Sequence, residues 1–258
     1  MSAVRTGTRR GAKFRPSGVF LAVVALWLTG GVMAWFEYGS PVVNVLLFVL
    51  AGWVVSLSLH EYAHALFAYR AGDHSVVGRG YLTLNPLKYT HPLLSIVLPL
   101  VFLLIGGIGL PGGAVSVDRG AVRSRRTASL ISLVGPGANV VFLIVLAVPF
   151  LLAVDTGAHP TFWTAVAFLA FLQLTAAVLN LMPIPGLDGG NALRPWLRRD
   201  AARFFDVLAP FGFLILVGIL FVPELNDIFW GAVLGVSDAL GVPRSLIREG
   251  LDLIQFWR

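Results

Sequence analysis

No cysteine occurs among the 258 residues, so disulfides, thiolate nucleophiles and cysteine-based zinc fingers are excluded. Charge is also scarce. Asp, Glu, Lys and Arg make up 12% of the chain, about half the ~25% of an average soluble domain. There is no internal repeat and no low-complexity tract beyond a basic N-terminal tail. What the sequence has in abundance is apolar surface. Hydrophobic residues are 57% of the total and the mean hydropathy is +0.83. A soluble domain of this length cannot hide so much apolar surface, and a disordered chain would not carry it. The apolar runs are continuous and not alternating, which argues against a membrane β-barrel. The expected class is an all-α polytopic membrane protein.

A span must cover ~30 Å of hydrocarbon, which takes about 20 apolar residues. Gly18–Phe36, Val42–Tyr69, Ala128–Val154, Thr161–Met182 and Val207–Val222 meet that need. Pro92–Leu110 is a further apolar run, giving about six transmembrane or membrane-embedded segments. The net charge of +6 is read as topology, and nucleic acid is not expected as a partner. Arg5, Arg9, Arg10, Lys13 and Arg15 precede the first span. Arg70, Arg79 and Lys88 follow the second, Arg119, Arg123, Arg125 and Arg126 precede the Ala128 span, and Arg194, Arg198, Arg199 and Arg203 follow the Thr161 span. The connections Glu37–Pro41 and Asp155–Pro160 carry no Lys or Arg. The positive-inside rule then places all four basic blocks, and the N-terminus, in the cytoplasm. Both ends of Pro92–Val117 must share that side, so this segment should dip in and return, with a partly extended stretch near 106–117. Irregular backbone at that depth is tolerated only beside protein or a wet cavity. The expected organisation is a basic tail over 1–17, a membrane-embedded unit over 18–222 with its core at 42–194, and a C-terminal tail over 223–258, interfacial or re-entrant. The first span follows a basic region like a signal peptide but has no small-residue cleavage site after it, so it is read as uncleaved.

Ionisable residues inside spans cost energy and mark functional sites. The second span holds His60-Glu61-Tyr62-Ala63-His64. The two histidines are four residues apart, share one helical face and can hold one Zn²⁺, with Glu61 placed to act as general base on a water. The bland alternative is a satisfied interhelical histidine pair with a chance acid. A catalytic zinc usually takes three protein ligands. Among the remaining candidates Asp188 stands out. It follows Pro183 and Pro185, which break the helix, and precedes Gly189-Gly190, which lets the backbone turn tightly. Presented from an unwound span end, it would complete a His₂Asp site; the alternative is an ordinary Asp-Gly turn. A third element, Gly135-Pro136-Gly137-Ala138-Asn139, combines small-residue packing with a buried amide that needs a partner.

These three elements, in this order within spans, resemble the site-2 protease family of intramembrane zinc metalloproteases: HExxH at His60–His64, GPxxN at Gly135–Asn139, and NxxPxPxxDG at Asn180–Gly189. Asn85-Pro86-Leu87-Lys88 also resembles the compact bacterial branch, without a PDZ domain. That branch has an aspartate where this chain has His91. The resemblance implies that His60, His64 and Asp188 bind one zinc per chain and that Glu61 activates water. It implies that Asn139 and Asn180 hold substrate backbone or steady the tetrahedral intermediate. The stretch including Gly112, Gly113, Ala114 and Val115 would pair edge-on with an unwound substrate. The implied activity is peptide hydrolysis within or next to transmembrane segments of proteins such as membrane-tethered anti-sigma factors. The site would lie towards the cytoplasmic side of the bacterial plasma membrane, with the lipid bilayer as surroundings. A catalytically inactive scaffold of the same fold, and a metal or ion transporter, are the competing readings. Intact His60, Glu61, His64 and Asp188 argue against the first. Clustering of polar residues at one depth argues against the second.

Overall fold

The computed structural model describes residues 15–89, 118 and 120–257. Regular structure in them is entirely helical: α1 (Gly18–Trp35), α2 (Pro41–Arg70), the short α3 (Ser75–Gly78), α4 (Arg125–Leu151), α5 (Pro160–Leu181), α6 (Asp188–Leu193), α7 (Arg199–Leu208), α8 (Gly212–Leu220), α9 (Pro223–Ala239) and α10 (Arg244–Ile254). Among the described residues, five helical spans are long and apolar enough to cross a membrane: α1, α2, α4, α5, and Arg199–Leu220, which joins α7 and α8 through a 3₁₀ turn. The sixth apolar run, His91, and the partly extended stretch with Gly112 to Val115 lie outside the described residues.

The spans follow the sequence expectation, with ends moved by local chemistry. The Ser17 hydroxyl accepts from the Phe20 N–H at 3.1 Å and fixes the start of α1. Proline takes the first position of α2 and α5, where a missing N–H costs nothing. Helix α4 begins at Arg125, three residues before the apolar run, behind the Ser124 cap. The largest difference is the fifth span, which starts at Arg199 and not Val207. Its first turns carry Arg199, Asp200, Arg203 and Asp206. Hydropathy alone skips such an amphipathic turn, yet Arg194 Nε donates to Asp206 Oδ1 at 2.6 Å and ties it to the preceding segment.

Helix α5 is the centre of the bundle. It packs against α1, α2, α4, α6, α9 and α10, and Phe168, Leu169, Leu172 and Leu179 have no exposed surface. In lipid, apolar helices gain little from leaving the surrounding tails, so close packing decides their association. Small residues permit it here. A Cβ on Gly30 would lie 2.7 Å from the Phe48 backbone N, and one on Gly52 would lie 2.6 Å from Leu169 Cδ2.

Polar contacts tie the helix ends together at both faces of the bundle. At one end the Ser17 N–H donates to the Thr83 carbonyl at 2.8 Å. The buried Asp73 carboxylate accepts from the Asp118 N–H at 2.8 Å, the Ser75 N–H at 2.9 Å and the Ser75 hydroxyl at 2.6 Å. Ser129 donates to the Ala192 carbonyl at 2.6 Å and accepts from Trp196 Nε1 at 2.8 Å. The described members of the four basic blocks gather at this end. At the other end Glu37, in the α1–α2 turn, accepts from the Thr161 N–H at 3.2 Å and the Thr161 hydroxyl at 2.6 Å, capping α5. His159 donates from Nδ1 to the Trp35 carbonyl at 2.8 Å and stacks on the Trp35 ring. The chain after residue 222 packs on the bundle. Gly241, at φ +69, turns beside the Phe150 carbonyl, and a Cβ on Gly250 would meet Phe168 Cβ at 2.5 Å. The tail therefore lies against α4 and α5 near their capped, non-basic end.

Candidate metal centre

His60 and His64 stand one turn apart on α2, both buried. Asp188 reaches them from α6 because the chain doubles back after α5. Gly186 takes φ +90, where a side chain would be strained. A Cβ on Gly189 would fall 2.2 Å from the Leu181 carbonyl oxygen, and one on Gly190 would fall 1.9 Å from that of Ile184. Only glycine allows this turn to fold so closely onto the end of α5, and the fold puts Asp188 at the histidines.

The three donor atoms converge. His60 Nε2 and His64 Nε2 are 3.0 Å apart. Asp188 Oδ2 lies 3.2 Å from the first and 3.4 Å from the second. A tetrahedral zinc with bonds of about 2.0–2.1 Å has ligand atoms about 3.3 Å from one another, so the spacing fits. The opposite nitrogens fix the aim of the rings. His60 Nδ1 donates to Asn139 Oδ1 at 2.6 Å, and His64 Nδ1 donates to the Ile131 carbonyl at 2.6 Å. Both partners belong to α4, and both leave Nε2 with its lone pair facing the cluster. The donor set is two neutral nitrogens and an anion, suited to a divalent cation.

Gly135 completes the cradle. A Cβ there would stand 2.1 Å from His64 Nε2, 2.5 Å from His64 Cε1 and 2.7 Å from His60 Nε2. A side chain there would crowd both Nε2 atoms, and with glycine in place the three donors keep the spacing that a metal ion needs.

The other sequence candidates fall around this centre. Glu61 is buried within α2 beside His60, 1% exposed. Tyr89 packs beneath α2 and donates to the Ser58 carbonyl at 3.0 Å. Burial first, then the charge of Glu61, pushes the Tyr89 hydroxyl up, so it stays a neutral donor. Asn180 is buried in the last turns of α5. Asn139 is buried with its amide committed: Oδ1 to His60, Nδ2 to Ser56 Oγ at 3.0 Å and to Gln173 Oε1 at 2.9 Å. Sequence reasoning passed over Ser56 and Gln173. The signal was there, since an amide in the middle of an apolar span needs a partner. It also treated Gly135 as packing, whereas the glycine faces the donor atoms.

The chain is similar to proteins named as zinc metalloproteases. The chain is 47% identical over 247 residues to a protein of Mycolicibacterium smegmatis named "Putative zinc metalloprotease Rip2", covering 94% of this chain and 95% of that one. It is 45% identical over 256 residues to the protein of the same name in Mycobacterium tuberculosis, covering 98% and 97%. A Bacillus subtilis protein named "Putative zinc metalloprotease YwhC" is 29% identical over 190 residues, covering 69% of this chain and 81% of that one. No model of a protein family matches the sequence, and no solved structure matches it.

Proposed function

From the premise that this chain belongs to the site-2 protease family of zinc metalloproteases, we propose that it hydrolyses peptide bonds within or next to transmembrane segments of other membrane proteins. The observation that carries the reading is the convergence of the His60, His64 and Asp188 donor atoms, with Gly135 leaving the two imidazole nitrogens uncrowded. Zinc held there would supply a Lewis acid and lower the pKa of the attacking water to about 7. Glu61, next to the first donor on α2, would serve as general base towards the attacking water and as general acid towards the leaving amine. Asn180 holds the substrate backbone as the bond is broken. Asn139 acts through His60, whose Nδ1 it holds. The stretch with Gly112, Gly113, Ala114 and Val115 supplies an edge for an unwound substrate.

A helical substrate hides its amide bonds, so a scissile segment has to unwind before attack. The substrate class is a single-span protein with helix-breaking residues near the cut, such as a membrane-tethered anti-sigma factor. The basic end of the bundle supports a cytoplasmic N-terminus and a site open towards the cytoplasm of a bacterial plasma membrane.

Two measurements test this. Bound metal in purified wild type, His60→Ala and Asp188→Ala is expected at about one zinc in the first, as one His₂Asp site allows, and less in both variants. Co-expression with single-span reporters carrying short outer domains is expected to release a fragment with wild type and none with Glu61→Gln, which keeps its zinc. Equal release by both enzymes would remove the general-base assignment.

A further inference from the structure

Gln173 is fully buried in the middle of α5, amid Ala170, Phe171, Leu172 and Leu174. A primary amide there is costly unless hydrogen-bonded, and of its two polar atoms only Oε1 is, Nε2 having no partner among the described residues. Its Oε1 accepts from the Ser56 hydroxyl and from Asn139 Nδ2 at 2.9 Å. Asn139 Nδ2 also donates to Ser56 Oγ at 3.0 Å, and Asn139 Oδ1 accepts from His60 Nδ1 at 2.6 Å. Ser56, Asn139 and Gln173, from α2, α4 and α5, are bonded to one another, and Asn139 links this trio to His60 in a line towards the donor cluster.

The line has a direction. A neutral imidazole that offers Nε2 to a metal carries its proton on Nδ1. That proton needs an acceptor, so Asn139 must present its oxygen to His60 and its amino group to the other side. Both amino protons then need acceptors. Ser56 Oγ and Gln173 Oε1 supply them. Turning the Gln173 amide over would set one amino group against the other. The orientation of the Gln173 carbonyl therefore selects the orientation of Asn139, which selects the protonated nitrogen of His60.

We propose that Gln173, assisted by Ser56, is a positioning residue of the metal centre: by holding the Asn139 amide in one orientation it keeps His60 in the tautomer whose Nε2 is free to bind the ion. The proposal rests on the reading of His60, His64 and Asp188 as metal donors. It assigns a role to a residue outside all three motifs and makes Asn139 part of the ligand-aiming apparatus.

The test uses purified full-length protein in detergent, with two readouts that do not require turnover. Zinc affinity is measured by competition with a chelator. The tautomer of His60 is read in the metal-free protein from ring ¹⁵N shifts, with His60→Ala supplying the assignment. Gln173→Met keeps the side-chain length and removes the acceptor. It is expected to weaken zinc binding by about 10- to 100-fold, the range for loss of an outer-shell partner, and to give mixed His60 tautomers. Gln173→Glu retains an oxygen acceptor and should restore the single tautomer. Thr175→Val is the control. Its hydroxyl bonds only its own helix, to the Leu172 carbonyl, and it should leave both readouts unchanged. Should Gln173→Met fail to fold, Ser56→Ala removes one arm of the line and should produce a smaller shift in the same direction. Gln173→Met with wild-type zinc affinity and a single Nδ1-protonated tautomer would overturn the proposal. Wild type that holds no zinc would overturn the reading of the site, and the tautomer measurement alone would then decide the role of Gln173.

Discussion

Replacing Gly135 by alanine adds one methyl group against the Nε2 atoms of His60 and His64. Its Cβ would begin 2.1 Å from His64 Nε2 and 2.7 Å from His60 Nε2, whereas carbon packs comfortably at about 3.5–4.0 Å. Relief requires a shift of more than about 1 Å at His64. The rings cannot turn away cheaply. Each is held at Nδ1 by a partner on α4, and breaking such a buried bond costs about 1–3 kcal/mol. Moving α4 outward breaks the same two bonds. Overpacking of this kind costs about 1–3 kcal/mol, and the gain in helix propensity from glycine to alanine returns up to about 1 kcal/mol. The variant should therefore stay folded while losing its metal. Zinc affinity should fall by at least about 100-fold, the upper end for outer-shell losses, because the methyl displaces two of the three donor atoms. Gly137→Ala, two residues along the same helix, meets nothing within 4 Å. It should bind zinc like wild type and melt at the same temperature or slightly higher. Chelator competition and thermal unfolding in detergent read both quantities. Wild-type zinc affinity in Gly135→Ala would refute the cradle geometry, and an equal loss in Gly137→Ala would show that any alanine in α4 acts through the helix.

Three further outcomes follow from the ends of the bundle. Asp73 titrates below the ordinary carboxylate: burial opposes ionisation, but the Ser75 hydroxyl, the Asp118 and Ser75 N–H groups and Arg79 outweigh it. Its contribution is thus full above the unfolded carboxylate pKa of about 3.9 and is lost as pH falls through the lower folded value. Asp73→Ala at neutral pH should speed tryptic cleavage near Arg123 and Arg125, and cleavage at the wild-type rate would remove Asp73 as the anchor of residue 118. Glu37→Ala leaves the Thr161 N–H and hydroxyl without their carboxylate and should cost about 1 kcal/mol, as for other helix caps, seen as a lower melting temperature with zinc content unchanged; loss of zinc would mean that the two ends are coupled. Because the chain has no cysteine, single cysteines report topology without background. Ones placed in the Glu37–Pro41 and Asp155–Pro160 connections should label from outside the cell, and one near Arg123 should not; external labelling near Arg123 would invert the assigned orientation.

The spans were legible because a run of about 20 apolar residues has few other uses, and proline at the start of α2 and α5 marked two of the helix entrances. The start of the fifth span was not, because Arg199–Leu208 is amphipathic and hydropathy averages its charged face against its apolar one. The destination of the tail was equally hidden. In α10 only Ile247, Gly250 and Ile254 are buried, a seam too narrow to read as a span and too apolar to read as a free tail. At the site, the His60/His64 spacing and the Pro-rich approach to Asp188 were visible because each is a local pattern. The Ser56–Asn139–Gln173 contacts were not, since they join three helices whose register no local pattern records.

Both histidines sit on α2, yet both of their outer nitrogens are held by α4, and the third donor arrives from beyond α5. A lone α2 inserted in the bilayer has the spacing of a metal site but not its aim, and nothing to close the coordination. A metal held by these three residues would therefore require the packed bundle, not α2 alone. The cluster's outer contacts come from α4 and its third member from α6, so the cluster exists only where those helices meet. On the proposed function, a copy whose helices have not assembled would carry these residues without a formed site, so assembly itself would be the safeguard against premature cleavage.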